Sequence, residues 1–345
     1  MKKEVILLVL GMSCMLSACS KEKELQVNEV IPEYIFTYAE NQPDDYPTTK
    51  GAYRFSELVE KRTQGRIRIQ IKAGGELGSE QSVIEQLQFG GIDFARVSLS
   101  PLGEKIPKLN ILQMPYLYVN SRHMWSVLEG EIGDEFLESF QGSNMIALSW
   151  YDAGARSFYS SKKPIERIAD MRGMKIRVQE SSLMERMVEL LGAEPVPLEY
   201  SEVYSAFQTG QIDAAENNWP SYESMNHVEV AEYMTLDEHT RIPEVQLASQ
   251  VTWDKLSKED QDIIRKCAEE SARYERLLWK DRAQQAEEAA KRKGCTIIIL
   301  EEAEKARFKE AVAPIYQEFY EEYQDIIDRI TEVGLVIKNE RGKTS

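Results

Sequence analysis

Two arginines and an asparagine carry most of the chemistry this sequence offers. Arg177 lies in the run Gly173-Met174-Lys175-Ile176-Arg177-Val178. Side chains alternate across a strand, so Ile176 and Val178 share one face and Lys175 and Arg177 the other. A β-branched face of this kind wants a core. The opposite face then holds a planar, five-donor guanidinium whose fork matches a carboxylate. An ion pair with a nearby aspartate is the ordinary alternative for such an arginine taken alone. Arg156 follows a Gly-Ala pair at a strand end and precedes Ser157-Phe158-Tyr159-Ser160. Glu216-Asn217-Asn218-Trp219 follows a third strand-like run. Asparagine supplies donor and acceptor together, and tryptophan an apolar wall. Open α/β sheets bind ligands at strand ends. Two arginines and an amide at three such ends make a site for a carboxylate that also bears hydroxyls.

Catalytic patterns are not supported. His123, His227 and His239 are far apart, and none has the spacing of His-Glu-x-x-His. No nucleophile elbow, phosphate-binding loop or kinase signature occurs. His239, in Glu238-His239-Thr240-Arg241, reads as a hydrogen-bonded structural histidine near a crossover, with a place beside the cleft as the alternative. No metal and no cofactor are expected.

The elements that must position these residues follow from periodicity. Tyr34-Ile35-Phe36-Thr37-Tyr38-Ala39 reads as a buried strand. Residues 49–63 have helical spacing, with Ala52, Phe55, Leu58 and Val59 on one face. Arg66-Ile67-Arg68-Ile69-Gln70-Ile71 alternates as a strand does. Ser79 caps a helix that Gly90-Gly91 ends, and Ile92-Asp93-Phe94-Ala95 is the next strand. This βαβ order implies a parallel sheet. Residues 144–150, the Arg177 run, a helix over 182–191, a helix from Ser201 to Gly210 and a strand at Ile212-Asp213-Ala214-Ala215 repeat the theme. The stretch Ser79-Glu80 to Gly91-Ile92-Asp93 is echoed by Ser201-Glu202 to Gly210-Gln211-Ile212-Asp213. The echo fits two domains of related construction. Ser257-Lys258-Glu259-Asp260 resembles a capping box. It opens a helix to about Lys293, with Ile263, Ile264, Cys267, Ala268, Tyr274, Leu277 and Leu278 as its expected buried positions. At 1.5 Å per residue that helix is about 55 Å long, enough to brace two domains. Thr296-Ile297-Ile298-Ile299-Leu300 is a short strand, and residues 302–331 are again helical.

The chain has 345 residues, 42% hydrophobic and 29% charged, with a net charge of −16. That is a globular composition with room for two cores. Its acidity argues against nucleic acid, whose phosphates need basic patches. An anionic ligand must therefore be captured by a few placed arginines and not by the global field.

The N-terminus is a targeting segment, not structure. Lys2 and Lys3 precede a short apolar stretch, and Leu16-Ser17-Ala18-Cys19 reads as a lipoprotein signal. Residues 1–18 are expected to be removed, Cys19 lipidated, and residues 19–33 to form a polar tether. The mature chain is then near −17. Anchoring by two or more acyl chains is stable where one is not. Cys267 and Cys295 remain, either paired or as separate thiols. No Cys-x-x-Cys is present.

The run Ile168-Ala169-Asp170-Met171-Arg172-Gly173-Met174-Lys175-Ile176-Arg177-Val178 resembles the signature of a known receptor family. So does Pro197-Leu198-Glu199-Tyr200-Ser201-Glu202-Val203-Tyr204-Ser205-Ala206-Phe207-Gln208-Thr209-Gly210-Gln211-Ile212-Asp213-Ala214-Ala215-Glu216-Asn217. Gly75-Glu76-Leu77-Gly78 and Gly91-Ile92-Asp93-Phe94 resemble its first-domain stretches. The family is that of the extracytoplasmic solute-binding proteins of tripartite ATP-independent periplasmic (TRAP) transporters, the dicarboxylate receptors. The likeness covers most of residues 34–335.

The resemblance implies an α/β fold of the periplasmic-binding-protein kind, class II type. Two lobes flank a ligand cleft, with a long bracing helix behind them. Lobe I is expected over 34–152 and 243–281, and lobe II over 153–242 and 282–335. Arg177 falls at the family's bidentate carboxylate arginine, Arg156 at its second arginine and Asn217 at its amide. Asn41 and Glu76 fall near positions that touch the distal part of the ligand. Asn218 and Trp219 depart from the simplest family pattern and suggest extra contacts, so Asn218 joins the expected site. The resemblance further implies delivery to integral membrane permease subunits, and hence a protein outside the cytoplasm, in the periplasm or on the outer face of the membrane. The polar set Asn41, Glu76, Asn217 and Asn218 suits a hydroxylated acid such as a hexuronate. Glu76 argues against a second ligand carboxylate nearby. A C4-dicarboxylate or a sialic acid is the alternative within the family. A lipid-anchored enzyme using Glu76 and Glu216, or a receptor for an ATP-linked transporter, is the alternative outside it.

Overall fold

The structure, a computed structural model, describes residues 31–341. The signal segment, Cys19 and most of the tether lie outside the described residues. The strands are β1 (Tyr34–Ala39), β2 (Ile67–Lys72), β3 (Phe94–Ser98), β4 (Met145–Tyr151), β5 (Arg156–Ser160) and β6 (Lys175–Val178). They continue with β7 (Glu194–Pro197), β8 (Ala214–Asn217), β9 (Tyr233–Thr240), β10 (Glu244–Ser249) and β11 (Thr296–Ile299). They form two sheets, one in the order β2-β1-β3-β10-β4 and one in the order β11-β9-β5-β8-β6-β7. In the first, β1 runs parallel to β2 and β3, and β10 antiparallel to β3 and β4. In the second, β6 runs parallel to β7 and β8, while β5 is antiparallel to β8 and β9. The fold is therefore the α/β, two-sheet, two-lobe architecture, with lobe I on the first sheet and lobe II on the second.

The chain crosses between sheets three times among these strands, twice through short loops and once, between β10 and β11, through a long helix. It passes from β4 to β5 through residues 152–155, and back from β9 to β10 through residues 241–243. Arg156 is thus the first residue after one short crossing and Glu244 the first after the other. Both stand on the cleft floor for this reason.

The bracing helix is Lys258–Arg292, 35 residues and about 52 Å long. Ser257 caps it through the Asp260 amide. It packs against helix Pro47–Arg62 of lobe I and helix Trp219–Ser224 of lobe II. Its buried stripe is not the expected one. Ile264, Cys267 and Ala268 are buried, but Tyr274 and Leu277 are exposed, and the stripe continues through Ser271, Glu275 and Trp279. The i, i+3/i+4 rule followed from Ile264 leads onto Glu275, whose polarity hides it from a hydrophobic count.

The C-terminal helix Glu302–Arg341 runs ten residues past the expected end at Thr331, with a break in helical geometry at Tyr323. Gly334 lets it continue against His123, since a Cβ there would lie 2.5 Å from the imidazole. Its Phe308, Val312, Ile315 and Ile330 join core residues of both lobes, among them Met124 and Met187.

Strands β3 and β8 begin two residues later than their periodicity predicts. The left-handed glycines Gly90 and Gly210 close the preceding helices, and the next residues complete those ends: the Ile92 and Ile212 amides bond back to Gln86 and Ala206. The shift places Arg96 and Glu216–Asn217 inside strands rather than after them. Cys267 and Cys295 are both free, the first buried and the second half-buried.

Candidate functional site

Arg177 sits mid-strand in β6, in register with Val196 on one side and Ala215 on the other. It is 2% exposed and lines the space between the lobes. Its Nε and Nη2 donate to the Leu198 carbonyl at 3.0 and 2.7 Å. Among the described residues it forms no ion pair. Burial pushes the guanidinium below its ordinary pKa, and the Glu216 charge pulls only partly the other way. A buried cation without a counter-charge is costly by several kcal/mol. The site is short of one anion.

Arg156 is placed beside it but is engaged differently. Its Nε and Nη2 donate to the Glu216 carboxylate at 2.5 and 2.8 Å, and its Nη1 donates to Asn217 Oδ1 at 3.0 Å. Burial lowers the Arg156 pKa, yet the charge and hydrogen bonds of Glu216 outweigh it and hold it above the ordinary value. Glu216 in turn is held down to about 2, Arg156 overcoming the effect of burial. His239 continues the network, with Nε2 3.3 Å from Glu216 and Nδ1 2.9 Å from Asp237. Burial would keep His239 neutral, but the two carboxylates raise it to about 9. It is a buried histidine stacked on Phe158 at 4.2 Å, beside a crossover. Arg156 and His239 are matched within this buried network by Glu216 and Asp237, and Arg177 is the one cation in it without an ion pair among the described residues.

Asn217 accepts from Arg156 and from the Asn218 amide, so its NH₂ end is what it offers the cleft. Asn218 Oδ1 caps helix Trp219–Ser224 through the Ser221 amide and accepts from Tyr46 Oη at 3.3 Å. Arg156, Arg177, Asn217, Asn218 and Asn41 therefore all line one space. Glu76 does not: it is exposed and paired with Lys72 at 3.0 Å. One helical turn on, Glu80 takes the place expected of it. The turn at Gly75–Gly78 points Glu76 outward, whereas Glu80 opens the next helix toward β3.

Lobe I contributes a cluster that the sequence reading missed. Arg96 Nη1 donates to Glu80 at 2.9 Å and to Glu244 at 2.8 Å, and Nε donates to Glu40 at 3.1 Å. Arg96 also bonds Asn41 Oδ1. The signal was available: Arg96 interrupts the apolar strand Phe94-Ala95-Arg96-Val97 just as Arg177 interrupts its own. Thr48 Oγ1 and Gln179 Oε1, which also line the space, are buried and have no hydrogen-bond partner among the described residues.

The lobes meet across this space. Tyr46 Oη lies 2.9 Å from Ser221 Oγ, Tyr200 Oη donates to Gln42 at 3.4 Å, and the Ser182 amide donates to Glu104 at 2.8 Å. Tyr46 stacks edge-on against Trp279 of the bracing helix. The inner cavity is about 30 Å³. It meets a mouth of about 530 Å³ at Asn41, Glu80, Arg177, Gln179 and Tyr200. Beyond Asn217, Asn218 and Trp279, on the hinge side, lies a groove of about 820 Å³. Its Arg122, Arg241 and Arg276 are paired with Glu340, Glu238 and Glu129, and its Lys280 is exposed, so it holds no buried cation like Arg177.

A buried arginine without a counter-charge, in a cleft between two lobes, suits a receptor for an organic anion, and comparison with known proteins agrees. Residues 38–323 match the bacterial extracellular solute-binding proteins, family 7. The chain belongs to this family of TRAP solute receptors. A solute-binding protein of Chromohalobacter salexigens is 35% identical over 291 residues, 84% of this chain and 86% of that one. A TRAP solute-binding protein from Bradyrhizobium sp. BTAi1, solved in complex with α/β-D-galacturonate, superposes with a TM-score of 0.84 at 40% identity. The match covers 87% of this chain and 100% of that one. A second, from Pseudomonas putida F1 with bound D-glucuronate, gives 0.84 at 37% identity over 86% and 97% of the two chains. The family consists of transport receptors rather than enzymes.

Proposed function

We propose that this TRAP receptor captures a hexuronate outside the cytoplasm and delivers it to integral membrane permease subunits without altering it. The observation that carries the reading is Arg177, buried, lining the cleft and lacking a carboxylate partner. A ligand carboxylate supplies the missing charge. Asn217 donates to the same group, and Arg156, fixed by Glu216, adds its field. Thr48 Oγ1 and Gln179 Oε1 favour a ligand rich in hydroxyls over a plain C4-dicarboxylate, since both need hydrogen-bond partners. The two solved relatives that hold uronates support the same class.

The hinge consists of the two short crossings and the bracing helix, which corresponds to lobe I as 34–152 with 243–281 and lobe II as 153–242 with 282–335. Ligand touches both lobes only when they are closed, so binding shifts the open–closed population. Moving that balance from 1:99 to 99:1 takes roughly 5.5 kcal/mol of differential affinity. A carboxylate desolvated against Arg177 supplies much of it. Cys19 carries the lipid that keeps the receptor at the membrane beside its permease.

A thermal-shift screen over D-glucuronate, D-galacturonate, succinate and N-acetylneuraminate tests the ligand class. A uronate at 100 times its Kd raises apparent stability by about 2.7 kcal/mol. A shift with succinate alone, or turnover of a uronate glycoside, refutes the reading.

A further inference from the structure

The lobe I end of the cleft has the opposite electrical character to Arg177. One guanidinium, Arg96, meets three carboxyl groups: Glu40 from the end of β1, Glu80 from helix Glu80–Phe89, and Glu244 from β10. Glu80 and Glu244 accept from the same nitrogen, Arg96 Nη1, at 2.9 and 2.8 Å. One guanidinium cannot neutralise three carboxylates crowded this closely, and like charges sharing a site retain a proton between them. Glu80 Oε1 is committed to Arg96 and to the Ser98 amide. Its side chain is 15% exposed, and it lines both the inner cavity and the mouth.

We propose that the Glu40–Arg96–Glu80–Glu244 cluster reads ligand charge, accepting the uncharged hydroxylated end of a monoanionic sugar acid and rejecting a second carboxylate. This rests on the reading of the cleft as a sugar-acid receptor and adds what that reading leaves open, the discrimination between uronates and aldarates. Glu80 donates its proton to a ligand hydroxyl oxygen, and Thr48 Oγ1 and Gln179 Oε1 meet other hydroxyls. A carboxylate in the same place finds Glu40 and Glu244 beside it and only Arg96, already occupied, to offset them. The charged groups around Glu80 are Arg96, which it contacts directly, Glu244 and Glu40, which share that guanidinium, and, across the cleft, Arg156 and Arg177. Burial and then the Glu244 charge raise Glu80 to about 8, against the pull of the Ser98 amide and the two lobe II arginines. Both effects favour the protonated, donating form of Glu80, and that donor is lost as pH rises through about 8.

The test is calorimetric titration of D-galacturonate and of galactarate, which carries a carboxylate at both ends, into the native protein and Glu244→Gln. Near neutral pH the native protein prefers galacturonate by at least about 100-fold, as like-charge juxtaposition demands. In Glu244→Gln the ratio narrows at least about tenfold. Should that variant fail to fold, the native ratio measured from about pH 7 to pH 9 serves instead, and widens as Glu80 ionises. Galactarate bound within about threefold of galacturonate, or a ratio unmoved by both the substitution and pH, overturns the proposal. Absence of galacturonate and glucuronate binding altogether overturns the hexuronate reading itself, which is a separate result.

Discussion

Arg156 and Arg177 stand side by side in the same cleft, yet only one of them is available to a ligand. Glu216 decides which. It clamps the Arg156 guanidinium in two-point fashion and shares its second oxygen with His239. Removing one partner of a buried pair leaves an uncompensated charge, which costs about 3–5 kcal/mol. Glu216→Ala is expected to lower chemical-denaturation stability by that amount, and a loss below about 1 kcal/mol would contradict the network's role. The same groups set a pH profile. Glu216, held to about 2 when folded, contributes stability that is full above the usual carboxylate range and lost as pH falls through about 2. His239, raised to about 9, contributes below its ordinary value near 6.5 and loses that contribution as pH rises through about 9. Glu80, raised to about 8, likewise favours the folded state at low pH and loses this between the ordinary carboxylate range and about 8. The ligand-free melting temperature should therefore peak near about pH 5 and decline toward pH 9. Glu80→Gln should flatten the middle of that decline, and a profile flat from pH 5 to 9 would contradict the assignment.

Strands and helix ends, not loops, place the charges. The echo between Gly91-Ile92-Asp93 and Gln211-Ile212-Asp213 is physical: Asp93 accepts from the Thr37 amide of β1, and Asp213 accepts from the Lys175 amide of β6. The same count from each isoleucine reaches Arg96 in lobe I, which lines the cleft, and Glu216 in lobe II, which lies buried beneath Arg156. Periodicity made these strands legible, along with the capped helices and the bracing helix. The exact start of β3 and β8 was not legible, because the left-handed helix ends take up two residues that look like strand. Glu80 was missed in favour of Glu76 because the choice depends on which way the Gly-rich turn aims its neighbours. The Arg96 cluster was missed because Glu40, Arg96 and Glu244 are far apart in sequence and meet only through sheet register. The hinge is as tightly specified. Gly154 has φ +63°, and a Cβ there would lie 2.8 Å from Trp279 Nε1. Gly154→Ala is expected to cost about 1–3 kcal/mol and weaken ligand affinity by displacing Trp279 from Tyr46. An unchanged melting temperature and affinity would show that the crossing is not braced by this contact.

The molecule as a whole is electrically asymmetric across its cleft, one cation in excess on lobe II and carboxyl groups in excess on lobe I. That asymmetry orients an acid whose other end is neutral, and closure of the lobes hides both ends from water. We propose that a lipid on Cys19 keeps the receptor at the membrane. Cys19→Ser should move the protein from the membrane fraction to the soluble fraction and abolish labelling by a fatty-acid analogue. Retention at the membrane in that variant would contradict lipid anchoring. Arg177 is held unpaired for the ligand carboxylate, and titration calorimetry of D-glucuronate and D-galacturonate into native and Arg177→Ala protein decides whether it is. Tight binding to the native protein, a loss of at least about 100-fold in the variant, and a ligand-free variant that melts no lower than the native protein are expected. Affinity within about threefold of native in Arg177→Ala would contradict this.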